Sequence, residues 1–239
     1  MYSHIKIEKI LFLDIETVPQ QINYESLNDD MKRMWDMKVQ NLVRYENHGE
    51  TNSPSELYAR AGIYAEFGKI ICISVGYIRD NVFRIKSFYS DDEKEILINF
   101  AGLVNEHFSS IEHRLCGHNL KEFDLPYICR RMLINDIKIP HIMNLSGKKP
   151  WENPHLDTLE LWKFGDYKHF ISLELMATIF NINSPKNDIK GKDVRDVYWK
   201  NNDLKRIVDY CEKDTLTVAQ ILLKITGNQL IKEENIIKK

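Results

Sequence analysis

Five residues in three separate stretches carry the side chains with which this chain could do chemistry. Asp14 and Glu16 stand two apart in Leu13-Asp-Ile-Glu-Thr17. Asp124 closes Asn119-Leu-Lys-Glu-Phe-Asp124, and Tyr210 and Asp214 stand a helical turn apart in Asp209-Tyr-Cys-Glu-Lys-Asp-Thr215. Carboxylates two apart on a strand project from one face. In a buried setting such a pair repels and is costly to desolvate unless something neutralises it. A hard divalent cation such as magnesium is the usual answer, because it takes oxygen ligands. Each stretch alone has an ordinary reading: an exposed acidic pair at a strand end, an aspartate capping a helix, two positions on one helix face. Together, each at the end or face of a buried element, they point to a site for two divalent metal ions that cleaves phosphodiester bonds.

The elements that must position them can be read from patterning. Ile10-Leu-Phe-Leu-Asp-Ile15 is a short apolar run and predicts a buried strand. The β-rich runs Ile70–Ile78 and Val82–Phe88, separated by Arg79-Asp-Asn81, predict a hairpin. Asp91-Asp-Glu-Lys puts acids into the first turn of a helix that continues to about Phe108. Leu115–His118 predicts a short strand, followed by a helix through Tyr127–Leu133. His155–Leu159 predicts another strand, and Ser172 a capped helix start. A last long helix spans about Asp203 to Lys224, and residues 227–239 read as a flexible tail. A hairpin followed by helix–strand alternation makes a mixed α/β sheet with helices on its faces. The segment of about 20–67 is too long for an ordinary connection, so it forms an insertion with its own helices or a lid.

The whole chain fits one domain over residues 1–239, with 43% hydrophobic and 28% charged residues. No apolar run is long enough to span a bilayer and no charged-then-apolar leader follows Met1. Cys72, Cys116, Cys129 and Cys211 show no CxxC pairing, so reduced thiols, a cytoplasmic location and no membrane partner are expected. The eight histidines show no HxxxH or HExxH arrangement, which argues against zinc. A net charge of −2 is unusual for a protein that handles nucleic acid. Leaving out Asp14, Glu16, Asp124 and Asp214 turns it to +2, so bound cations would make the working protein mildly positive. Trp35, Tyr45, Tyr58 and Tyr64 in the insertion could stack bases, but five basic residues there face eight acidic ones, which favours packing. Lys186, Lys190, Lys192 and Arg195 could line a nucleic-acid track or sit in a solvated loop. Asp157 could stand behind the metals or be a turn acid.

Asp14-Ile-Glu-Thr17, Asn119-Leu-Lys-Glu-Phe-Asp-Leu-Pro-Tyr-Ile128 and Tyr210-Cys-Glu-Lys-Asp214 resemble the three exonuclease motifs of family B DNA polymerases. More broadly they resemble the tyrosine-bearing (DEDDy) branch of the DEDD exonuclease superfamily. The middle motif is the most specific, and the matches span most of the chain. There is no room for a polymerase domain and no palm motif, so the chain resembles the freestanding, predicted polymerase-B-like exonucleases. The resemblance implies an RNase H-like fold with metals at one edge of the central sheet. It implies 3′–5′ exonucleolytic hydrolysis at single-stranded 3′ ends, of DNA ahead of RNA, with two Mg²⁺ or Mn²⁺ ions and no nucleotide cofactor. By residue, it implies that Asp14, Glu16, Asp124 and Asp214 surround the metals. One ion would activate the attacking water and the other would stabilise the leaving 3′ oxygen, while Tyr210 orients or deprotonates the water. Thr17, Asn119 and Phe123 would hold the single-stranded end. The rivals are an exoribonuclease, since the same four acids serve both sugars, and a catalytically idle nucleic-acid-binding module of the same fold. The sequence does not give the oligomeric state.

Overall fold

In the computed structural model, which describes residues 5–46, 53–166, 168–182 and 188–239, the apolar run before Asp14 lies in strand β1 (Ile10–Pro19). The insertion follows, with α1 (Asp29–Glu46) and α2 (Pro54–Leu57). Strands β2 (Gly68–Arg79) and β3 (Val82–Tyr89) lead to α3 (Glu93–His107), β4 (Arg114–Gly117) and α4 (Asp124–Ile134). After a long connection come β5 (Leu156–Asp157), α5 (Thr158–Lys163), α6 (Leu173–Ile179) and α7 (Val194–Trp199). The chain ends with α8 (Leu204–Thr226) and β6 (Ile236–Lys238). The strand order is β5-β4-β1-β2-β3-β6. β2 runs antiparallel to β1 and β3, and the other three pairings are parallel.

Alternation along β1 explains why helices cover both faces. Leu11, Leu13 and Ile15 point to the side packed by Ile96, Leu97 and Phe100 of α3 and by Leu125 and Ile128 of α4. Ile10 and Phe12 point the other way, against Val218, Ala219 and Leu222 of α8. Asp14 and Glu16 continue that second row, so the alternation that builds the core also carries two carboxylates to the α8 side. The β2–β3 turn is a two-residue one, and both Asp80 (φ 54°) and Asn81 (φ 58°) take the left-handed backbone that such hairpin turns require. Side-chain caps start three helices where the sequence predicts them: Asp92 on α3, Ser172 on α6 and Asp203 on α8.

The insertion has helices and a small core of its own. Trp35 is wholly buried, donates from Nε1 to the Pro54 carbonyl at 2.7 Å, and meets Tyr58 and Phe67 edge-on. Packing therefore uses Trp35 and Tyr58, and the side chain of Tyr45 lies outside the described residues. Arg131 and Glu93 form a buried ion pair that joins α4 to α3. Glu93 also accepts from the Ile70 N–H of β2 at 2.7 Å, and Arg131 donates to the Ala65 carbonyl at 2.8 Å.

Three expectations need correction. Residues 227–239 are not a flexible tail: Ile236–Lys238 pair with Phe83–Ile85 as the sixth strand. Ile236 packs into the α8-side core, and Gln220 holds Ile231 through both its carbonyl and its amide. The predicted strand at His155–Leu159 lasts only two residues, because the Asp157 carboxylate caps Leu159 N and turns the chain into α5. Arg195 does not lie in a loop but on α7, where it donates to Asp196 and to the Ile22 carbonyl. Lys190 and Lys192 are exposed, and Lys186 lies outside the described residues.

Candidate active site

β4 pairs with β1 only as far as Phe12, so β1 is open on that side where Asp14 begins the acidic stretch. α4 enters through this opening. Its first residue, Asp124, is 4% exposed, and its carboxylate is held by its own N–H and that of Ile15. α8 crosses the other side and brings Tyr210 and Asp214. The site therefore sits over β1, in the interior of the strand order, and not on an edge strand. Ser74 stands opposite Asp14 and Cys72 opposite Glu16, and a bulge between β1 and β2 follows at Glu16/Thr17.

The four carboxylates gather closely enough to perturb one another. Burial first, then the charges of Asp124 and Asp214, push Asp14 well above the ordinary carboxylate range. Burial, then Asp14 and Asp214, do the same to Glu16. Burial drives Asp124 up to about 7, with Asp157 adding to the rise. Among the described residues no lysine or arginine forms an ion pair with Asp14, Glu16 or Asp124. A hard cation, which takes oxygen ligands, fits such a donor set. Asp14, Glu16 and Cys211 bring one potential ligand atom each within 4.8 Å of one another. Cys211 is the misfit in that trio. Burial pushes its thiol well up, and the thiol donates to Asp14 Oδ2 at 3.3 Å.

Tyr210 stands with the acids, as its i, i+4 spacing to Asp214 predicts. Its hydroxyl donates to the Asp214 carboxylate, and burial together with Asp214, Glu16 and Asp14 raises it far above an ordinary phenol. In this arrangement Tyr210 is a hydrogen-bond donor fixed beside the acids.

The other predicted residues lie nearby in differing settings. Thr17 is half-buried at the bulge, where its hydroxyl meets that of Tyr127. Tyr127 is buried and donates to the Gly62 carbonyl at 2.8 Å, so this part of the middle motif fixes the end of the insertion. A Cβ at Gly68 would lie 2.2 Å from the Tyr127 hydroxyl, which explains the glycine at the start of β2. Asn119 takes a left-handed backbone (φ 64°). Its N–H donates to Asp157 Oδ1 at 2.9 Å, and the Lys121 N–H donates to Oδ2 at 3.0 Å. Asp157 is thus a clasp for the loop that leads to Asp124, intermediate between the two readings open from sequence. Phe123 is half-buried and leans on Tyr127, with ring centroids 5.4 Å apart. Sequence reasoning missed Cys72 and Cys211. Cys211 lay inside the third motif, one residue after Tyr210, but nothing in its spacing sets it apart from a core thiol.

A mixed six-stranded sheet flanked by helices, with carboxylates from β1, α4 and α8 converging over the central strand, defines the RNase H-like exonuclease class. The chain belongs to the family described as predicted 3′–5′ exonucleases related to the exonuclease domain of PolB, which it matches over residues 63–233. That match contains Asn119, Phe123, Asp124, Tyr210 and Asp214. Asp14, Glu16 and Thr17 precede it and join the site through the fold. No curated protein is matched by the sequence. Among the described residues, no helix is long and apolar enough to cross a membrane.

The raised carboxyls give a pH prediction for the metal-free protein. A group whose folded pKa lies above its unfolded value stabilises the fold below the unfolded pKa, and that contribution is lost as pH rises through the folded one. For Asp124 the window runs from the ordinary aspartate value of 3.8 to about 7. Asp124→Asn removes this titration, so in chelator the variant should gain on the parent in melting temperature between pH 5 and pH 8. Parallel scanning calorimetry checks it. A gap between the two that stays constant over that range would mean Asp124 is ionised in the fold throughout.

Proposed function

We propose that the protein is a divalent-metal-dependent hydrolase of the DEDDy type that removes nucleotides from the 3′ ends of single-stranded nucleic acid, DNA ahead of RNA. The observation that carries this reading is the convergence of Asp14, Glu16, Asp124 and Asp214 from three elements, with the buried carboxyls of Asp14, Glu16 and Asp124 raised and, among the described residues, no lysine or arginine ion-paired to those three. The family's relation to a DNA polymerase's exonuclease domain supports DNA as the substrate.

In this reading Asp14, Glu16, Asp124 and Asp214 hold two Mg²⁺ or Mn²⁺ ions. Bound there, the ions would supply an acidified water and stabilise charge on the leaving 3′ oxygen. Cys211 keeps Asp14 in one orientation by hydrogen-bonding its Oδ2. Tyr210, tethered to Asp214, offers its hydroxyl as a fixed hydrogen-bonding partner that aligns the attacking water with the scissile phosphate. The Asp157 clasp holds the loop on which Asn119 and Phe123 flank the substrate end, and the half-exposed ring of Phe123 gives a base a surface on which to stack. Thr17, fixed to Tyr127, completes that wall.

The deciding experiment is digestion of single-stranded DNA and RNA, each labelled at the 5′ or the 3′ end, with Mg²⁺, Mn²⁺ or excess chelator. A 5′-labelled strand should give a ladder shortening one nucleotide at a time, and a 3′-labelled strand should release mononucleotide at once. Both should stop in chelator. Full activity in chelator would sink the metal mechanism, and faster digestion of RNA would move the substrate assignment to RNA.

A further inference from the structure

A cavity of about 870 Å³ opens beside the acidic site, between α4 and the connection that runs to α5. Its floor is apolar: Leu125, Met143 and Leu159 are buried there, with Cys129 and Ile139 half-buried beside them. Its near wall includes Asn119 and Asp157, the same pair that clasps the loop leading to Asp124, so the cavity borders the loop that delivers that acid. The size lies in the upper part of the range of about 300–1,000 Å³ for ligand pockets lined by apolar groups with a few polar ones.

The charges of the lining are not balanced. Lys121 is paired with Glu160, and both oxygens of Asp157 accept backbone N–H groups. What remains is Glu122 against Arg130, Lys148, Lys149 and Lys163, none of which has an ion-pair partner among the described residues. Two large aromatic side chains stand in solvent at the lip. Trp151, which follows the lining residue Pro150, is 77% exposed, and Lys149 lies over its ring at 5.2 Å. Phe164 sits between the lining residues Lys163 and Gly165 and is 78% exposed. Its backbone is left-handed (φ 45°), a conformation that disfavours a bulky residue. Flat rings beside unpaired cations over an apolar floor suit a chain that is at once polyanionic and rich in planar rings.

We propose that this cavity and its lip hold the single strand upstream of the 3′ end that is cut. Phosphates lie against Arg130, Lys148, Lys149 and Lys163, and bases stack on Trp151 and Phe164. This inference rests on the exonuclease reading for its direction but not for its chemistry. It also accounts for how a chain of net charge −2 engages nucleic acid: the positive surface is local, next to the acids, and not spread over the molecule.

The test measures binding of 5′-fluorescent oligonucleotides of 2, 4, 8 and 12 residues to the full-length protein in chelator, by anisotropy. Trp151→Ala should weaken the 12-mer about 5- to 150-fold, the range for losing one stacked base, with a loss that shrinks as the strand shortens. A Lys148→Ala/Lys149→Ala protein should lower the slope of log K against log salt by about 1.4, the value for two phosphate contacts on a single strand. All three residues are exposed, so both proteins should melt with the parent. Equal losses at every length, or no loss, would overturn the proposal. So would an oligo-glutamate of equal length competing as well as the strand, which would mark a general acidic-protein surface. Because binding is read without cleavage, the two readings fail separately. Length-dependent binding by a parent that cuts nothing keeps the cavity and removes the nuclease. Cutting with binding indifferent to these variants does the reverse.

Discussion

Tyr210→Phe is expected to lower turnover about 10²–10⁴-fold, the range for a positioned proton-handling group, while folding and metal affinity hold. The ring is half-buried against the cluster that includes Val18, Ile71, Val194 and Ile207 and would keep its packing. Only the hydroxyl is lost, and with it the donor to Asp214 and, in the proposed mechanism, the partner that orients water. Asp214→Asn should fail differently. It removes a charge that raises Asp14, Glu16 and Tyr210 alike, so both metal affinity and turnover should fall, with excess Mn²⁺ restoring part of the activity. In chelator the same variant should melt higher than the parent, because one of four mutually repelling carboxylates has gone. Calorimetric Mn²⁺ titration beside steady-state digestion separates the two. If Tyr210→Phe turned over like the parent, the tyrosine would be reassigned to packing. If it lost metal binding as well, its tether to Asp214 would be the part that matters.

The acids of this site were legible in the sequence because each is tied to a strong local signal. Asp14 and Glu16 end an apolar strand, Asp124 starts a helix, and Tyr210 and Asp214 share a helix face, so register alone carries them to the α8 side of β1 and the opening beside it. The helix starts at Asp92, Ser172 and Asp203 were legible for the same reason, since a cap is written within three residues of its effect. What was not legible depends on partners far away in the chain. Ile236 reads as one apolar residue in a charged tail until β3, some 150 positions earlier, offers an open edge. Cys211 reads as core until the fold lays α8 against β1, nearly 200 positions earlier in the chain, and only then does its thiol meet Asp14. Asp157 reads as a turn acid because the N–H groups it holds, those of Asn119 and Lys121, lie nearly forty residues upstream. The raised hydroxyl of Tyr210 likewise follows from the whole cluster, and spacing cannot show it.

The largest expected loss of stability lies away from the site, at the Glu93–Arg131 pair that sets the position of α4. Arg131 is 5% exposed and Glu93 7% exposed. The guanidinium reaches both carboxylate oxygens from Nε, at 2.9 and 3.1 Å, and donates from Nη1 to the Ala65 carbonyl, so one side chain joins α3, α4 and the end of the insertion. Removing one partner of a buried pair leaves the other charge uncompensated, at a cost of about 3–5 kcal/mol. Arg131→Met, which retains the apolar stem, should therefore lose that much in urea unfolding. Arg131→Lys should lose somewhat less, because an ammonium keeps the charge but cannot span the carboxylate and the carbonyl together. Adding Glu93→Gln to Arg131→Met should recover part of the loss: the buried charge goes, while the amide oxygen can still accept from Ile70 N–H, now met by Glu93 at 2.7 Å. A double variant no more stable than Arg131→Met alone would show that the lost geometry, and not the stranded charge, carries the cost. Because Asp124 is the first residue of the helix that Arg131 anchors, single variants that survive should also bind Mn²⁺ more weakly without any change at the acids themselves.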